Sequence, residues 1–391
     1  MPLIPAPRRI SLRRKILAWW DAGHRQLPWR FPAGTADPYR VWISEVMLQQ
    51  TQVGAVVPYY LRFVERFPTL EALAAASEED VLESWSGLGY YARGRRLHAA
   101  AREMLSRHGG VPASRAALAA LPGFGPYTVG AVASIAFGLE EPCIDGNVAR
   151  VLARLFCVEG APEAPATRER LWAFAGELVR GVRPGDLNQA LMDLGATACV
   201  KPVPRCERCP LAGCCAARSA GRERELPPAR SRRAPRRVEM VCAVVESRGR
   251  LLLARRPGDG LFGGLWELPS AEVPPSEDPR AALASSLAER GLRVAIGERL
   301  ARVERALTHR RLALTAFRAS AVRLPRTRDD LRLTRDLDGL ALSTASRALL
   351  AALPASARPP GMERDDDAHA PCRERSQRVL CARRTKRAKP A

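Results

Sequence analysis

Glu45 is an acidic residue on a predicted helix face that is otherwise apolar. Asp37 as N-cap and Pro38 at the first helical position indicate where that helix begins. Val41 and Leu48 share the face of Glu45. A carboxylate in such surroundings is costly unless it is paired or protonated. Glu45 is therefore either half of a buried ion pair or a functional acid with a raised pKa.

Asp145 is a second carboxylate whose position permits chemistry. It lies in the sequence CIDGNV at residues 143–148, just ahead of a helix predicted to run through Phe156. Asn147 can cap that helix, and Asp145 with Gly146 can form an ordinary turn. Taken alone, each carboxylate has a structural explanation as well as a chemical one.

Four cysteines have a spacing that suits a metal centre. Cys199, Cys206, Cys209 and Cys215 follow the pattern C-x6-C-x2-C-x5-C, which brings four thiolates within reach of one centre through short loops. We expect an intracellular chain, in which ten cysteines favour a metal site over a disulfide framework. Spacing alone leaves both zinc and an iron–sulfur cluster open.

A glycine-rich turn separates two predicted helices. The sequence LPGFGPYT at residues 121–128 lies between a helix predicted over residues 114–121 and another over residues 127–138. Gly123 and Gly125 let backbone amides approach an anion at a helix N-terminus. A lone Gly-x-Gly is usually a plain interhelical turn. In a chain with a net charge of +21, we interpret it as a helix–hairpin–helix that holds DNA phosphates without reading sequence.

The elements around these segments predict a multi-domain chain, because 391 residues exceed one ordinary core. Apolar residues recur at helical spacing over residues 10–194. Strands at residues 239–246, 250–254 and 312–318, with a helix at 280–290, predict a mixed second domain. We expect an all-α helix-hairpin-helix domain with the cysteine loop over residues 1–215, a linker over 216–237, a smaller α+β domain over 238–353, and a basic disordered tail over 354–391.

Composition also restricts location and partners. No apolar run approaches the length that spans a bilayer, and residues 1–15 lack an apolar signal core. We expect a cytoplasmic monomer that does not bind membranes and, in a bacterium, associates with the nucleoid. Lys and Arg outnumber Asp and Glu by 62 to 41, which favours nucleic acid as a partner.

The order of the motifs resembles that of the adenine DNA glycosylases, within the endonuclease III superfamily. The matching sequences are LPWR at residues 27–30, WISEVMLQQTQV at 42–53, GLGYYAR at 87–93, the hairpin, and DGNV at 145–148. The resemblance runs over residues 10–215 and continues weakly through the second domain. It implies a two-lobed helical domain with DNA and the active site in the cleft between the lobes.

The resemblance implies separate roles for the two carboxylates. Breaking an N-glycosidic bond to adenine needs a proton for the departing base and negative charge beside an oxocarbenium-like sugar. Glu45 is implied as the acid, acting at adenine N7, and Asp145 as the sugar-stabilising or transiently nucleophilic group. Tyr127 occupies the hairpin position where bifunctional relatives carry a Schiff-base lysine. We therefore expect base removal without efficient strand cleavage, with Tyr127 positioning the site.

Further residues match family positions that contact the extruded base or the space it leaves. Gln49 and Gln50 match intercalating and partner-contacting residues, and Arg25, Trp29 and Gln189 match the adenine pocket. A surface helix and core packing are the alternatives for these positions. The residues implied to contact DNA or the base are Arg25, Trp29, Arg30, Leu48, Gln49, Gln50, Gly123, Gly125 and Gln189.

The cysteine spacing resembles the [4Fe–4S] loop of the same superfamily. This implies a [4Fe–4S] cluster as cofactor, chiefly structural, that organises a basic loop against DNA. Lys201, Arg205 and Arg208 would supply the charge of that loop.

The second domain resembles a Nudix domain with a degraded metal site. LWELP at residues 265–269 resembles the strand before a Nudix box, a helix whose carboxylates bind a metal for hydrolysis of nucleoside diphosphate linkages. Counted without gaps, the box positions fall on Ser270, Ser276, Ala284, Ser285, Ser286, Ala288 and Glu289. Too few oxygen ligands remain for magnesium, so we expect no hydrolysis.

In adenine glycosylases such a domain recognises 8-oxoguanine through a Phe-Ser/Thr-His loop, which stands here as Leu307, Thr308 and His309. The leucine leaves the stacking part of that contact open. The implied partner is double-stranded DNA with adenine opposite 8-oxoguanine or guanine. The alternatives are a bifunctional endonuclease III-like enzyme, a non-catalytic iron–sulfur DNA-binding protein and a nucleotide hydrolase.

Overall fold

The computed structural model describes residues 3–32, 34–228, 234–258, 260–274, 276–307, 309–323 and 328–358. The chain divides into two compact units, Met1–Arg232 and Arg233–Ala391. Among the described residues, no helix combines the length and the apolar character needed to cross a membrane.

The first unit is helical, as the sequence predicts. Its helices are α1 Ala6–Ala22, α2 Pro38–Leu48, α3 Val53–Arg66, α4 Leu70–Ala75, α5 Glu78–Ser84, α6 Ala92–His108, α7 Arg115–Ala119, α8 Pro126–Phe137, α9 Gly146–Leu155, α10 Pro165–Val179, α11 Pro184–Thr197 and α12 Ala216–Ser219. Short 3-10 helices at Cys206–Arg208 and Ala212–Cys214 form the cysteine loop.

Local sequence sets where the helices that carry the site begin. Asp37 caps α2 by accepting from the backbone N–H of Tyr39 at 2.9 Å, and Pro38 occupies its first turn. In α9 it is Asp145, and not Asn147, that caps the helix. The sequence analysis offered Asn147 as the cap, but the Asp145 carboxylate accepts from two backbone N–H groups.

One apolar core holds α1, α9, α10 and α11 together. Ile16, Leu152, Leu178 and Leu194 are fully buried members of that core. Because α9 and α11 contribute to it along their length, the start of α9 has a rigid support.

The second unit is a mixed sheet with a helix on each face. Its elements are β1 Arg236–Ser247, β2 Arg250–Arg255, β3 Trp266–Glu267, β4 Ser270–Glu272, α13 Pro279–Glu289, β5 Arg293–Ala306, β6 Arg310–Arg323, β7 Leu331–Thr334 and α14 Thr344–Ala351. The strand order is β3-β2-β1-β6-β5, with β4 on β1 and β7 on β2. Leu283 and Leu287 of α13 belong to the core on one face, and Leu349 and Leu350 of α14 to the core on the other.

The fold class is confirmed, while several local features differ from the sequence analysis. Strand β5 was not predicted, because its charged residues hide the alternation of an edge strand. The predicted linker over residues 216–237 contains α12 at its start and the first residues of β1 at its end. Residues 359–391 of the predicted tail lie outside the described residues.

Candidate active site

A hydrogen bond between Tyr127 and Glu45 joins α8 to α2. The Tyr127 hydroxyl donates to Glu45 Oε2 at 2.6 Å. Glu45 is only 5% exposed, and Tyr127 is half-buried. The predicted carboxylate on an apolar helix face therefore has a neutral hydrogen-bond donor as its direct partner, and not a cation.

Burial raises the pKa of Glu45 to about 7. The Tyr127 hydrogen bond opposes that shift, and the nearby charge of Asp145 adds to it. A carboxyl group with a pKa near neutrality is protonated in about half of the molecules at pH 7, so it can serve as a general acid.

The Asp145 carboxylate is held at the N-terminus of α9 by hydrogen bonds from Asn147 and Val148. Its Oδ1 atom accepts from Asn147 N at 2.9 Å and Val148 N at 2.7 Å, and its Oδ2 atom accepts from Asn147 Nδ2 at 2.9 Å. Burial raises the pKa of Asp145, and these hydrogen bonds oppose the shift. They fix the orientation of the carboxylate before any substrate arrives.

Asn147 is fixed in turn by a close approach of α11. The Arg150 guanidinium donates to Asn147 Oδ1 at 2.8 Å, to Gly195 O at 2.7 Å and to Cys199 O at 2.7 Å. A Cβ atom at Gly195 would lie 2.6 Å from Asn147 Cβ, so a side chain cannot be placed there without displacement. Sequence reasoning did not find this role for Arg150, because it depends on contacts between distant segments.

A cavity of about 820 Å³ brings many of the predicted residues together. Glu45 is not among its lining residues and reaches it through Tyr127. The predicted residues that line the cavity are Arg25, Leu48, Gln49, Gln50, Gly123, Gly125, Tyr127 and Asp145. A volume of this size lies within the range of pockets that bury a small ligand.

Trp29, Arg30 and Gln189 are not among the residues that line this cavity. Trp29 packs edge-on against Tyr60 at 5.2 Å between ring centroids. The Arg30 guanidinium donates to Asp193 at 2.7 Å and lies over the Trp20 ring. Gln189 is half-buried on α11. Their contacts with an extruded base stay predictions.

Asp193 is a residue that the sequence analysis missed. It is 1% exposed and accepts from both Arg25 and Arg30. Burial opposes ionisation, but the two guanidinium groups outweigh it and hold the pKa of Asp193 below its usual range. An acid within the apolar pattern of α11 is the same signal that identified Glu45, and it could have marked Asp193, although not its distant partners Arg25 and Arg30.

The two hairpin positions, Gly123 and Gly125, suit glycine for different physical reasons. Gly123 has a φ of +80° and approaches Arg96, where a Cβ would meet a side-chain carbon at 3.0 Å. Gly125 is the N-cap of α8 with an ordinary φ of −83°, and nothing lies within 4 Å of the position of its Cβ. Its lack of a side chain leaves the N-terminus of α8 open to the cavity.

Arg93 on α6 fixes the end of α2. Its guanidinium donates to the carbonyl oxygens of Val46 at 2.9 Å and Met47 at 3.0 Å, and also to that of Gln49. The Gln49 side chain donates to Thr128 Oγ1 at 3.0 Å. Gln50 follows with a positive φ of 59° and is exposed, so its side chain is presented to solvent.

The four predicted metal ligands lie in one loop beside α9. Burial, together with the nearby Cys199, Cys215 and Cys206 thiols, raises the pKa of the Cys209 thiol to about 11, so the four lie near one another. The buried Arg154 guanidinium donates to Cys199 Sγ at 3.2 Å. Among the described residues, no three His, Cys, Asp or Glu side chains are placed to hold a single metal ion. Four thiols beside a guanidinium are a donor set that fits an iron–sulfur cluster, because the cation offsets thiolate charge.

The second unit has a cavity of about 460 Å³ beside α13. The residues of α13 and its C-cap that face it are Ser286 and Arg290, because Leu283 and Leu287 are buried in the core. The ungapped count places the acidic positions of the box at Ser285, Ala288 and Glu289, none of which lines this cavity; Ser286 and Arg290 lie one residue after two of them. Neither of the two residues that α13 and its C-cap turn to the cavity is a carboxylate, whereas Glu267, Glu272 and Asp330 line it from other segments.

The predicted lesion loop is only partly described. Leu307 is half-buried and packs against the core that contains α14. His309 is exposed, and Thr308 lies outside the described residues. The leucine that replaces the aromatic residue is therefore part of the support of the loop.

Residues 43–177 match the family model described as HhH-GPD superfamily base excision DNA repair protein, and residues 240–352 match the NUDIX domain. The chain is 40% identical over 319 residues to adenine DNA glycosylase of Homo sapiens, a match that covers 68% of this chain and 58% of that protein. It is 42% identical over 201 residues to adenine DNA glycosylase of Mycolicibacterium smegmatis, covering 51% of this chain and 67% of that protein.

A solved structure, that of a thermostable thymine-DNA glycosylase, is 32% identical with a TM-score of 0.49 and covers 54% of this chain and 97% of that one. The chain spans about three fifths of the length of the mammalian relatives it matches. Glu45, Tyr127 and Asp145 all lie within the matched helical segment. With 42% identity over two thirds of a relative's length, the chain belongs to the adenine DNA glycosylase family.

Proposed function

We propose that the chain is a monofunctional DNA glycosylase of base excision repair. It hydrolyses the N-glycosidic bond of adenine opposite 8-oxoguanine or guanine in double-stranded DNA. The observation that carries this proposal is the 2.6 Å hydrogen bond from Tyr127 to the buried Glu45, beside a cavity that Asp145 lines. One carboxyl group keeps a proton near neutral pH and is linked to the cavity through Tyr127, and the second lines the cavity.

Glu45 delivers its proton to N7 of the extruded adenine, and the electrons of the breaking bond leave with the base. The Asp145 carboxylate stabilises the positive charge that develops on the sugar. Water then adds to C1′ and its proton returns to Glu45, which leaves free adenine and an abasic site. Membership of the family supports this assignment of roles.

Tyr127 supports base removal without strand cleavage. A phenol has no amine with which to form an imine at the abasic sugar. Its hydroxyl group is committed to Glu45, so its role is to position the acid. An endonuclease III-like strand-cleaving activity would need a nucleophilic amine at this position.

The rim of the cavity supports contacts with DNA. Gln50 is exposed and Gln49 is anchored to Thr128, which suits one group that enters the duplex and one that stays in place. Trp29, Arg30 and Gln189 belong to this proposal as residues near the base. Gly123 and Gly125 leave backbone amides open to a phosphate.

Cys199, Cys206, Cys209 and Cys215 would hold a [4Fe–4S] cluster, which would cross-link the loop and stabilise it when bound. The residues themselves contribute a support for α9, because Arg150 and Arg154 bind backbone and sulfur atoms of Cys199. Anaerobically purified protein should contain about four irons per chain. Stoichiometric zinc without iron would contradict the assignment. The monomeric state and cytoplasmic location stay predictions.

His309, with Thr308, would contact the damaged strand. Replacing both by alanine should slow excision opposite 8-oxoguanine more than excision opposite guanine, because polar contacts worth about 1 to 3 kcal/mol are removed. Glu45 and Asp145 are unchanged in this variant. Equal slowing on both duplexes would show that these residues do not read the lesion.

The direct test is single-turnover excision from duplexes that carry adenine opposite 8-oxoguanine, guanine or thymine. We expect free adenine from the first two and little from the third, with strand breaks only after alkaline treatment. Strand cleavage without alkali would support the bifunctional alternative. Failure to release adenine from any of the three duplexes would overturn the proposal.

A further inference from the structure

Two arginine pairs face each other at one end of the parallel β1–β6 ladder. Arg236 lies opposite Arg310, and Arg237 lies opposite Arg311 in the next register position. Successive residues of a strand point to opposite faces, so each face of the sheet has one pair at this end. Like charges directly opposite each other destabilise a sheet.

Few of these charges are neutralised within the unit. Arg236 pairs with Glu272 at 2.8 Å. Among the described residues, no carboxylate forms an ion pair with Arg237, Arg310 or Arg311, and Arg237 and Arg311 are exposed. The repulsion is therefore retained in the free protein.

Several arginines elsewhere in the second unit have carboxylate partners, although β5 and β6 also place Arg293 opposite Arg323. Arg302 pairs with Glu239 at 3.0 Å, Arg318 with Glu298 at 3.0 Å, and Arg328 with Asp330 at 2.9 Å. This end of the β1–β6 ladder differs in having two such pairs in adjacent register positions. Such a group suits a ligand that brings several negative charges in a row.

The arginines flank the turn that carries His309. The Arg236 N–H donates to His309 O at 3.1 Å, and the Leu307 N–H donates to Arg310 O at 2.8 Å. The backbone of the predicted lesion loop is therefore bonded directly to two of the four residues. A ligand at His309 would lie beside the guanidinium groups.

We propose that Arg237, Arg310 and Arg311, with Arg236 beside them, bind the phosphodiester backbone of the DNA strand that the adjoining loop reads. This inference rests on the proposed function. Phosphate contacts fix position and register, while the loop supplies the contact with the base. Binding also relieves the repulsion that the free sheet retains, because the phosphates lie between like charges.

The test compares two double variants of the full chain. Arg237→Gln with Arg311→Gln removes both charges of one cross-strand pair and leaves a shorter, neutral polar side chain at each position. Arg250→Gln with Arg299→Gln removes the same charge from two exposed arginines outside this group, neither of which lies opposite another arginine. Affinity for a duplex with adenine opposite 8-oxoguanine is measured at several salt concentrations, with Glu45→Gln present throughout to prevent turnover.

Each lost phosphate contact should reduce the slope of log affinity against log salt by about 0.9. A rise in salt from 50 to 200 mM weakens the binding of both proteins. The factor by which it weakens the variant of Arg237 and Arg311 should be about tenfold smaller than the factor for the parent protein. The slope of the control variant should equal that of the parent. An unchanged slope in the first variant, or an equal change in both, would overturn the proposal.

Two further measurements separate this result from other causes. The melting temperature of the Arg237 and Arg311 variant should equal or exceed that of the parent, because a repulsion is removed; a clear fall would contradict the repulsion on which the proposal rests. Reduced binding to poly-glutamate with an unchanged DNA slope would favour an acidic protein partner and overturn the assignment to DNA. Excision of adenine by the unaltered chain tests the proposed function separately.

Discussion

Glu45 and Glu267 are two equally buried carboxylates whose direct partners differ, since one partner is neutral and the other is cationic. Each is 5% exposed, and burial raises the pKa of each. Glu45 accepts from the neutral phenol of Tyr127 at 2.6 Å. Glu267 of β3 accepts from the Arg256 guanidinium at 2.8 Å and from the Ser270 hydroxyl.

The difference shows how a fold decides whether a buried acid is reactive or inert. A neutral donor favours the ionised form less strongly than a cation does, so burial can hold the pKa of Glu45 at about 7 and the proton stays available. A cationic partner favours the ionised form and binds it in an ion pair. Burial is common to both carboxylates, so it does not distinguish them. The charge of the direct hydrogen-bond partner does distinguish them.

The strongest test of this comparison is the rate of excision. Glu45→Gln should slow single-turnover release of adenine by at least about 100-fold, because a positioned general acid contributes that much. Glu267→Gln is the matched control and should leave the rate within about threefold. Near-normal excision by the Glu45 variant would remove the distinction between the two carboxylates.

The same pair of substitutions should change stability in opposite directions. Glu267→Gln should lower the free energy of unfolding by about 2 to 4 kcal/mol, because it leaves the mostly buried Arg256 guanidinium without a carboxylate. Denaturant unfolding of the second unit measures this effect. A stabilised Glu267 variant would mean that Arg256 has another adequate partner.

Glu45→Gln should stabilise the protein at alkaline pH by about 1 to 3 kcal/mol. The folded-state pKa is raised from 4.5 to about 7, so the cost of a buried carboxylate is fully present above pH 7 and vanishes below pH 4.5. The variant should therefore exceed the parent in unfolding free energy at pH 8 and match it near pH 4.5. A constant difference across this range would place its origin elsewhere.

The smallest expected effect concerns Tyr127. With protonated Glu45 as the proposed acid, excision should fall about tenfold per pH unit above its pKa of about 7. Tyr127→Phe removes a hydrogen bond that lowers this pKa, so the midpoint should move upward by roughly one pH unit or less. A pH–rate profile of single-turnover excision measures the shift. A downward shift would contradict the assignment of the phenol as donor.

Local sequence was sufficient to predict the carboxylates and the helices that carry them. Glu45 stands out against an apolar stripe, and Asp37 with Pro38 marks the start of α2. Such signals lie within a few residues of one another, so no knowledge of tertiary contacts is needed. Both the fold class and the family follow from segments of this kind.

Features that depend on long-range packing were not predictable from the sequence. The ion pair of Asp193 with Arg25 and Arg30 joins segments more than 160 residues apart. Burial of Leu283 and Leu287 sets which face α13 turns to the cavity. Two of the box positions taken from an ungapped count of the sequence lie one residue before the residues on that face. In both cases the deciding contact is with another element of the fold.

The missing side chain at Gly195 bears on how natural and engineered variants are interpreted. A methyl group there would push against Asn147, which orients Asp145, although α11 carries none of the proposed catalytic groups. We therefore expect genetic variation at this glycine to disturb the orientation of Asp145, through the single intervening residue Asn147. A position outside the cavity can in this way impair a carboxylate inside it.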